Sequence, residues 1–300
     1  MKRFGVYPAS VTPFDGKGRV DMAQMAKLLA WFEAAGCAGV VLAGTNGEGP
    51  SLSAVEKRDL LRDSANLAGG LELVLGIATP SLDEATWLTK QAATYGASAV
   101  LVMAPSYFRA APEEGVLAWF EALLAASPTP VLVYNFPKMT GFTFSPEAMG
   151  RLAGHPNFLG LKDSSGEGAN LALYRAAVSD DHVLYVGDET LLLDAIDAGW
   201  SGTISGASNV IPQWLVGVLS AIASGNRETA EARFSLTRPC IEAIRSLPQP
   251  PGNKALLHRL GVLSNPGLRL PLLEADKARV DAVADLIRER LGEPRLGLGT

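Results

Sequence analysis

Lys162 is the residue of this sequence with the clearest potential for covalent chemistry. It ends the apolar segment at residues 158–161, and a polar run at residues 163–166 follows it. This order predicts an amine at the open end of a buried strand. A partly desolvated amine loses its proton more easily and can attack a carbonyl carbon to form a Schiff base with a keto acid. The alternative is a rim lysine in a salt bridge with Asp163.

Tyr134 ends another apolar segment, and Tyr107 follows a third one. A tyrosine hydroxyl beside an imine can shuttle protons while the carbinolamine forms and while a carbon–carbon bond breaks. The alternative for Tyr134 is a side chain that caps the core and binds a backbone carbonyl. Tyr107 is a candidate for the same proton relay or for an aromatic contact at an interface.

The glycine-rich turn at residues 44–49 contains Thr45, Asn46 and Gly47. Its backbone amides, the threonine hydroxyl and the asparagine amide can form a nest that binds a carboxylate. The alternative is an ordinary turn between two elements.

Eight short segments rich in Val, Ile and Leu alternate with helical stretches. The predicted strands are residues 5–11, 39–42, 71–77, 99–103, 131–134, 158–161, 183–186 and 202–205. Near-continuous apolar segments indicate a parallel sheet that is covered on both faces. Ser53 with Glu56, and Ser81 with Glu84, predict capping boxes at two helix starts.

This order favours an α/β fold, a closed (β/α)₈ TIM barrel, over an open doubly wound sheet. The glycine-rich turns lack the GxGxxG spacing and the GK[ST] ending of nucleotide-binding folds. Active sites of such barrels lie at the C-terminal ends of the strands, so the polar residues should meet at one rim. Residues 1–224 are predicted to form the catalytic barrel and residues 225–300 a C-terminal helical subdomain. Its predicted helices are residues 227–246, 252–260 and 275–291, with a frayed end at 297–300.

Composition excludes several classes of function. A net charge of −5 over 300 residues gives no basic surface for nucleic acid, and the longest apolar stretch is too short to cross a membrane. The first residues do not resemble the apolar core of a signal peptide. Cys37 and Cys240 form no disulfide framework, which favours a cytoplasmic location. His155, His182 and His258 are dispersed, so we expect no metal site.

These motifs together resemble the dihydrodipicolinate synthase / N-acetylneuraminate lyase family of class I pyruvate-dependent aldolases. The resemblance extends from about residue 5 to the C-terminal helices. Residues 44–48 (GTNGE) are similar to the GTTGE or GSTGE turn of that family, and residues 134–137 (YNFP) to its YNxP strand end. Residues 160–166 (GLKDSSG) are similar to its GxK[DE]xxG segment, and residues 202–205 to its eighth strand.

The resemblance implies roles for individual residues. Lys162 would form the Schiff base, and Tyr134 would be the general acid and base, linked by Thr45 in a proton relay. Tyr107 would correspond to a tyrosine that reaches the site of a neighbouring subunit. The substrate-binding set would be completed by Asn46, Gly47, Ile204, Lys138, Asp188 and Glu189. The family implies a homotetramer built as a dimer of dimers, with no cofactor apart from the covalent imine.

The sequence departs from the synthase pattern at one informative position. Lysine-pathway synthases read YNxPxRTG, and Met139 stands here at the arginine that binds the carboxylate of aspartate semialdehyde. Methionine cannot pair with a carboxylate, and losing such a contact costs on the order of several kcal/mol. Lys138 is the nearest candidate replacement. The departure favours an aldolase of the 2-keto-3-deoxygluconate type, with Asp188 and Glu189 binding substrate hydroxyls.

The sequence therefore predicts a carbon–carbon lyase that cleaves or forms a 2-keto-3-deoxy sugar acid or a 4-hydroxy-2-oxo acid. Its products would be pyruvate and an aldehyde. The alternatives are 4-hydroxy-tetrahydrodipicolinate (dihydrodipicolinate) synthase and a keto-deoxy sugar-acid dehydratase. A non-catalytic barrel that binds a keto acid is the alternative from a different class.

Overall fold

The computed structural model describes residues 4–293 and contains an eight-stranded parallel barrel. The strands are β1 (Gly5–Pro8), β2 (Gly39–Leu42), β3 (Glu72–Ile77), β4 (Ala99–Met103), β5 (Val131–Asn135), β6 (Phe158–Asp163), β7 (Val183–Val186) and β8 (Gly202–Ser205). Each strand from β3 to β8 pairs with the one before it in the chain, and β8 also pairs with β1. The predicted frayed end at residues 297–300 lies outside the described residues.

The ring closes between β1 and β2. The amide of Ala38 donates to the carbonyl of Val6 at 3.0 Å, and the amide of Ser10 donates to the carbonyl of Val41 at 2.9 Å. These bonds flank a parallel bridge between Ala9 and Val41. The predicted TIM barrel is therefore confirmed.

Helices cover the outside of the barrel and continue beyond it. They are α1 (Met22–Ala34), α2 (Ala54–Ala65), α3 (Leu82–Thr94), α4 (Glu113–Ala126), α5 (Pro137–Thr140), α6 (Pro146–Ala153), α7 (Ala169–Ala177), α8 (Leu192–Asp197), α9 (Pro212–Ala223), α10 (Arg227–Ser246), α11 (Pro251–Arg259) and α12 (Lys277–Leu291). The proposed division between residues 224 and 225 falls in the turn between α9 and α10, and it stays a prediction. Within residues 4–293, no helix has the length and hydrophobicity needed to cross a membrane.

Side chains fill the interior of the barrel. A cluster separate from the outer core includes Tyr7, Val74, Leu101, Leu132 and Tyr185. The rings of Tyr7 and Tyr185 meet edge to face, with their centroids 5.3 Å apart. The interior is thus a packed core, which leaves the rim as the place for a ligand.

Four strands have bounds that differ from the predicted ones, and one of them, β3, begins at Glu72 instead of residue 71. β1 ends at Pro8 instead of continuing to residue 11, because its pairing with β8 ends where Pro8 meets Ser205. β5 includes Asn135, and β6 continues through Lys162 to Asp163. Lys162 is therefore held by the hydrogen-bond ladder of a strand and does not lie in a loop.

Candidate active site

A cavity of about 730 Å³ opens at the C-terminal ends of the strands. Its wall combines strand ends and loops of the barrel with side chains from α10, α12 and the segment after α10. The residues that line it include Thr45, Asn46, Tyr134, Lys162, Gly206 and Gln249.

Lys162 and Tyr134 are direct neighbours on adjacent strands. They are paired in the parallel register of β5 and β6, so their side chains leave the sheet on the same face. The Nζ atom of Lys162 lies 4.1 Å from the centroid of the Tyr134 ring. Lys162 is only 4% exposed, and that small opening leads into the cavity. This geometry places a desolvated amine next to a phenol.

Asp163 does not pair with Lys162. Consecutive residues of a strand point to opposite faces, so the Asp163 carboxylate lies outside the barrel. There it accepts hydrogen bonds from Asn135 Nδ2 at 2.7 Å and from the hydroxyl of Ser165 at 2.6 Å. Burial raises the pKa of Asp163, while these hydrogen bonds oppose that effect. Among the described residues Lys162 forms no ion pair, so the salt bridge with Asp163 is absent.

The hydroxyl of Tyr134 has a different neighbour from the one predicted. The Ser164 hydroxyl lies within 3.4 Å of it, whereas the buried Thr45 Oγ1 has no hydrogen-bond partner in residues 4–293. The predicted link from Thr45 to Tyr134 is therefore not formed here. Ser164 follows the sixth strand in the GLKDSSG segment, and no local signal distinguishes it there from Ser165.

The turn after β2 is a candidate site for an anion. The backbone amides of Thr45, Asn46 and Gly47 donate no hydrogen bond to any described group. Ala43, which precedes the turn, and Glu48, which belongs to it, have left-handed backbones, each with φ of 53°. Such conformations are unfavourable for residues with a Cβ and often occur at functional sites. The turn can therefore offer several free donors to a carboxylate.

Asp188 and Glu189 reach the cavity wall, but their oxygen atoms already have protein partners. Asp188 accepts from the hydroxyl of Thr190 at 2.6 Å and from Arg245 Nη2 at 2.6 Å. Glu189 accepts from the amide of Ala207 at 2.8 Å and from Arg245 Nη1 at 2.9 Å. Their main contacts hold Arg245 at the rim, and the binding of substrate hydroxyls by both carboxylates stays a prediction.

Comparison with known proteins identifies the family of this barrel. The dihydrodipicolinate synthetase family model matches residues 2–290. The chain belongs to the dihydrodipicolinate synthetase family. It is 34% identical to the 4-hydroxy-tetrahydrodipicolinate synthase of Synechococcus sp. (strain CC9311) over 282 residues, which cover 93% of this chain and 92% of the relative. It is 35% identical to the synthase of Listeria innocua over 272 residues, or 90% of this chain and 92% of the relative.

Solved structures of the family have the same fold. The crystal structure of dihydrodipicolinate synthase from Thermotoga maritima superposes with a TM-score of 0.90 at 28% identity, over 97% of this chain and 99% of that one. The enzyme from Cyanidioschyzon merolae with lysine bound gives a TM-score of 0.88 at 31% identity, over 95% and 97% of the two chains. The predicted enzyme class, a carbon–carbon lyase of a pyruvate-dependent aldolase family, is confirmed.

Other predicted site residues occupy different surroundings. Lys138 and Met139 line the cavity, and Met139 is 43% exposed. Ile204 lies inside the barrel with no exposed surface, and Gly47 is buried beneath the turn. Tyr107 lies outside the cavity of its own chain and is 80% exposed. The family match does not test the roles of these residues, which stay predictions.

The helical extension contributes residues that sequence reasoning missed. Arg245 and Gln249 line the cavity from the C-terminal end of α10 and the segment after it, and Arg279 does so from α12. The sequence predicts helices separated by prolines in this region, but nothing in the local sequence indicates which end of the barrel these helices cover. Within the described residues, no group of three His, Cys, Asp or Glu side chains is arranged to hold a metal ion.

Proposed function

We propose that the chain forms a Schiff base between Lys162 and pyruvate and uses it to make or break a carbon–carbon bond. The observation that supports this most directly is the position of the Lys162 amine. Lys162 is 4% exposed, its Nζ lies 4.1 Å from the Tyr134 ring centroid, and the residue lines a cavity of about 730 Å³. A lysine without a carboxylate partner in such a place suits nucleophilic catalysis.

The proposed reaction begins when Lys162 Nζ adds to the keto carbon of pyruvate. The keto oxygen gains a proton to give a carbinolamine and then leaves as water, which yields the imine. Loss of a proton from the methyl carbon gives an enamine, and that carbon attacks the carbonyl of an aldehyde. Hydrolysis of the imine releases the product and frees Lys162. The same steps in the reverse order cleave the carbon–carbon bond.

Tyr134 is the proposed proton carrier in these steps. Its ring lies against the amine, and its hydroxyl is within reach of Ser164. A phenol and a serine in contact can exchange a proton with the forming carbinolamine. The free amides of the turn at residues 45–47 would hold the pyruvate carboxylate at the same time.

Aspartate semialdehyde is the first candidate for the aldehyde. The relatives reported above are named as 4-hydroxy-tetrahydrodipicolinate synthases, and they support this alternative better than the sugar-acid aldolase that the sequence favoured. The cavity also contains cationic side chains that suit an acidic aldehyde, since Lys138 and Arg279 line it without a carboxylate partner among residues 4–293.

A sugar-acid aldehyde is the second candidate, and the presence of methionine at position 139 favours it. The residue lines the cavity where the synthase pattern has an arginine, and a thioether cannot replace a guanidinium in binding a carboxylate. A neutral polyhydroxy aldehyde would not need that contact.

Borohydride trapping tests the Schiff base. Reduction in the presence of pyruvate should add the mass of one pyruvate-derived group to the peptide that contains residue 162. A Lys162→Ala variant should gain no mass, whereas Lys138→Ala, which removes another lysine of the same cavity, should gain it as the unaltered enzyme does. An unmodified peptide in the unaltered enzyme would refute the proposed function.

A panel of aldehydes then separates the two candidates. With pyruvate held constant, aspartate semialdehyde, glyoxylate, glyceraldehyde and N-acetylmannosamine are offered in turn. The first candidate predicts turnover with aspartate semialdehyde above all others, and the second predicts glyceraldehyde instead. Offered a 2-keto-3-deoxy sugar acid alone, a dehydratase would release water and no aldehyde.

We also propose that the enzyme is a homotetramer and that Tyr107 lies at a subunit contact. Tyr107 and Phe108 are 80% and 69% exposed, and their rings meet edge to face with centroids 5.3 Å apart. An exposed aromatic pair of this kind is typical of interfaces. Sedimentation velocity measures the mass directly. The cytoplasmic location stays a prediction from the two cysteines, which are both free and buried.

A further inference from the structure

The side chain of Asn46 is held in one orientation by helix α11. Its Oδ1 accepts a hydrogen bond from Asn253 Nδ2 at 2.9 Å. The same Nδ2 donates to the carbonyl of Gly206 at 3.0 Å. An amide nitrogen carries two hydrogens, so both hydrogens of Asn253 are used, and one of them fixes which atom of Asn46 points to α11.

The other end of the Asn46 amide therefore faces away from α11. Its Nδ2 lies beside Gly206, where a Cβ built on that glycine would be 3.0 Å from it. Both residues line the cavity, and the Asn46 Nδ2 donates to no protein group in the described part of the chain. The nitrogen is thus a free donor on the turn that carries the free amides of residues 45–47.

The position of Asn253 indicates a role beyond filling space in the core. It has no exposed surface, and its Oδ1 is buried without a hydrogen-bond partner among residues 4–293. Leaving a buried acceptor unpaired is unfavourable, and an apolar residue at this position would avoid that cost. Its neighbour Lys254 contacts Glu48 in the same turn, with Nζ 2.5 Å from Oε1. Two consecutive residues of α11 therefore hold two residues of the turn.

We propose that Asn253 is a positioning residue for the keto-acid carboxylate. It keeps the Asn46 Nδ2 directed at the carboxylate that the turn binds. Without it, the Asn46 amide can rotate by half a turn and present Oδ1, which repels a carboxylate. The inference rests on the proposed function, because it takes the pyruvate carboxylate to occupy this turn.

The concentration of pyruvate that gives half-maximal borohydride trapping at Lys162 tests this role. Asn253→Ala should raise that concentration about tenfold, which corresponds to the loss of about one hydrogen bond to a charged group. Maximal trapping at saturating pyruvate should stay unchanged. A purely structural role predicts the opposite pattern, with less active protein and an unchanged half-saturating concentration, and that pattern would overturn the inference.

Asn157→Ala is the matched control. Asn157 Nδ2 also donates two hydrogen bonds, in this case to the backbone carbonyls of Leu124 and Ser127, at 3.0 and 2.9 Å. It precedes β6 and therefore lies at the opposite rim of the barrel. Its removal should leave the half-saturating pyruvate concentration as it is in the unaltered enzyme. A tenfold rise in this variant too would overturn the inference.

A double variant shows whether Asn253 acts through Asn46. Asn46→Thr introduces the hydroxyl residue of the family turn, which has no amide to orient. In that background Asn253→Ala should cause no further change, whereas a second tenfold rise would contradict the proposal. If Asn253→Ala does not fold, Asn253→Asp keeps the shape but cannot donate, and it should raise the half-saturating concentration by at least as much.

The outcomes separate this inference from the proposed function. Trapping that is normal in the unaltered enzyme and has the same half-saturation in Asn253→Ala or Asn253→Asp would overturn the inference alone. An unaltered enzyme that traps no pyruvate would overturn the proposed function and the inference with it.

Discussion

At the scale of residues, the alternation of a β-strand separates Lys162 from the acid beside it. The sequence alone left open whether Asp163 neutralises the amine. Because Lys162 lies within β6, its side chain points into the barrel end, and Asp163 points to Asn135 and Ser165 outside. The motif singled out Lys162 as the candidate nucleophile, but the lack of a salt bridge to it within residues 4–293 depends on where the strand ends.

Tyr134→Phe should lower turnover strongly while leaving the fold intact. The hydroxyl is the proposed acid and base, and a general acid–base group contributes about 10²–10⁴-fold to the rate. Steady-state assays with pyruvate and the preferred aldehyde measure the loss, and borohydride trapping measures imine formation separately. We expect Lys162 still to be trapped, at a lower rate, because its amine is untouched.

Tyr95→Phe is the control for this change. Tyr95 follows α3 on the outside of the barrel and does not line the cavity. Turnover should be unaffected by loss of that hydroxyl. A Tyr134→Phe enzyme as active as Tyr95→Phe would remove the tyrosine from the mechanism.

At the scale of elements, hydrophobic pattern predicted the strands and helices well because both have regular periods. Half of the strands, β2, β4, β7 and β8, have the predicted bounds, and α10 spans the predicted residues. Capping was less predictable. The Ser53 capping box forms completely, whereas Ser81 accepts from the Glu84 amide but Glu84 accepts from Thr79 instead. Thr79, which lies outside the capping-box motif, donates to Glu84 in place of the Ser81 amide.

Glu56 joins α2 to the segment after α11 and should make stability depend on pH in the acid range. Arg269 Nη2 lies 2.5 Å from its carboxylate, and that hydrogen bond lowers the pKa of Glu56 to about 2. In the unfolded chain the pKa of this group returns to about 4.5. The stabilisation is therefore present above pH 4.5 and is lost as the pH falls towards 2.

Glu56→Gln should be less stable than the unaltered protein at pH 7, and the difference should shrink between pH 5 and pH 3. Urea unfolding at several pH values measures it. Gln at this position keeps an acceptor for the Ser53 amide, so the helix cap is retained. A constant difference over this pH range would show that the ion pair with Arg269 does not stabilise the fold.

At the scale of the whole molecule, the helical extension completes the site of the barrel. Its helices were predictable from their apolar faces, but their positions on the barrel were not. The spacing of apolar residues shows which face of a helix is buried, but not which element covers that face. Arg245, Gln249 and Arg279 reach the cavity across long stretches of sequence. Asn253 reaches Asn46 in the same way. These contacts are set by tertiary packing, which no local motif of a single sequence encodes.

A buried ion pair fastens this extension to the barrel. Lys254 on α11 and Glu48 after β2 both have side chains without exposed surface, and Nζ lies 2.5 Å from Oε1. Nζ also donates to the carbonyl of Gly267 at 2.7 Å and lies 4.1 Å from the centroid of Phe14. Burial lowers the pKa of Lys254 to about 8, and Glu48 acts in the opposite direction.

Lys254→Met should destabilise the protein by about 3–5 kcal/mol, because it leaves the Glu48 carboxylate buried without a cation. Replacing Glu48 as well, in a Glu48→Gln, Lys254→Met double variant, should restore much of that loss, since no unpaired charge remains.

The control is Arg238→Met, which breaks an exposed pair with Glu242 on α10. Exposed pairs contribute less than about 1 kcal/mol. Urea unfolding followed by tryptophan fluorescence measures all three variants. Equal losses in Lys254→Met and Arg238→Met would mean that the buried pair does not hold the extension on the barrel.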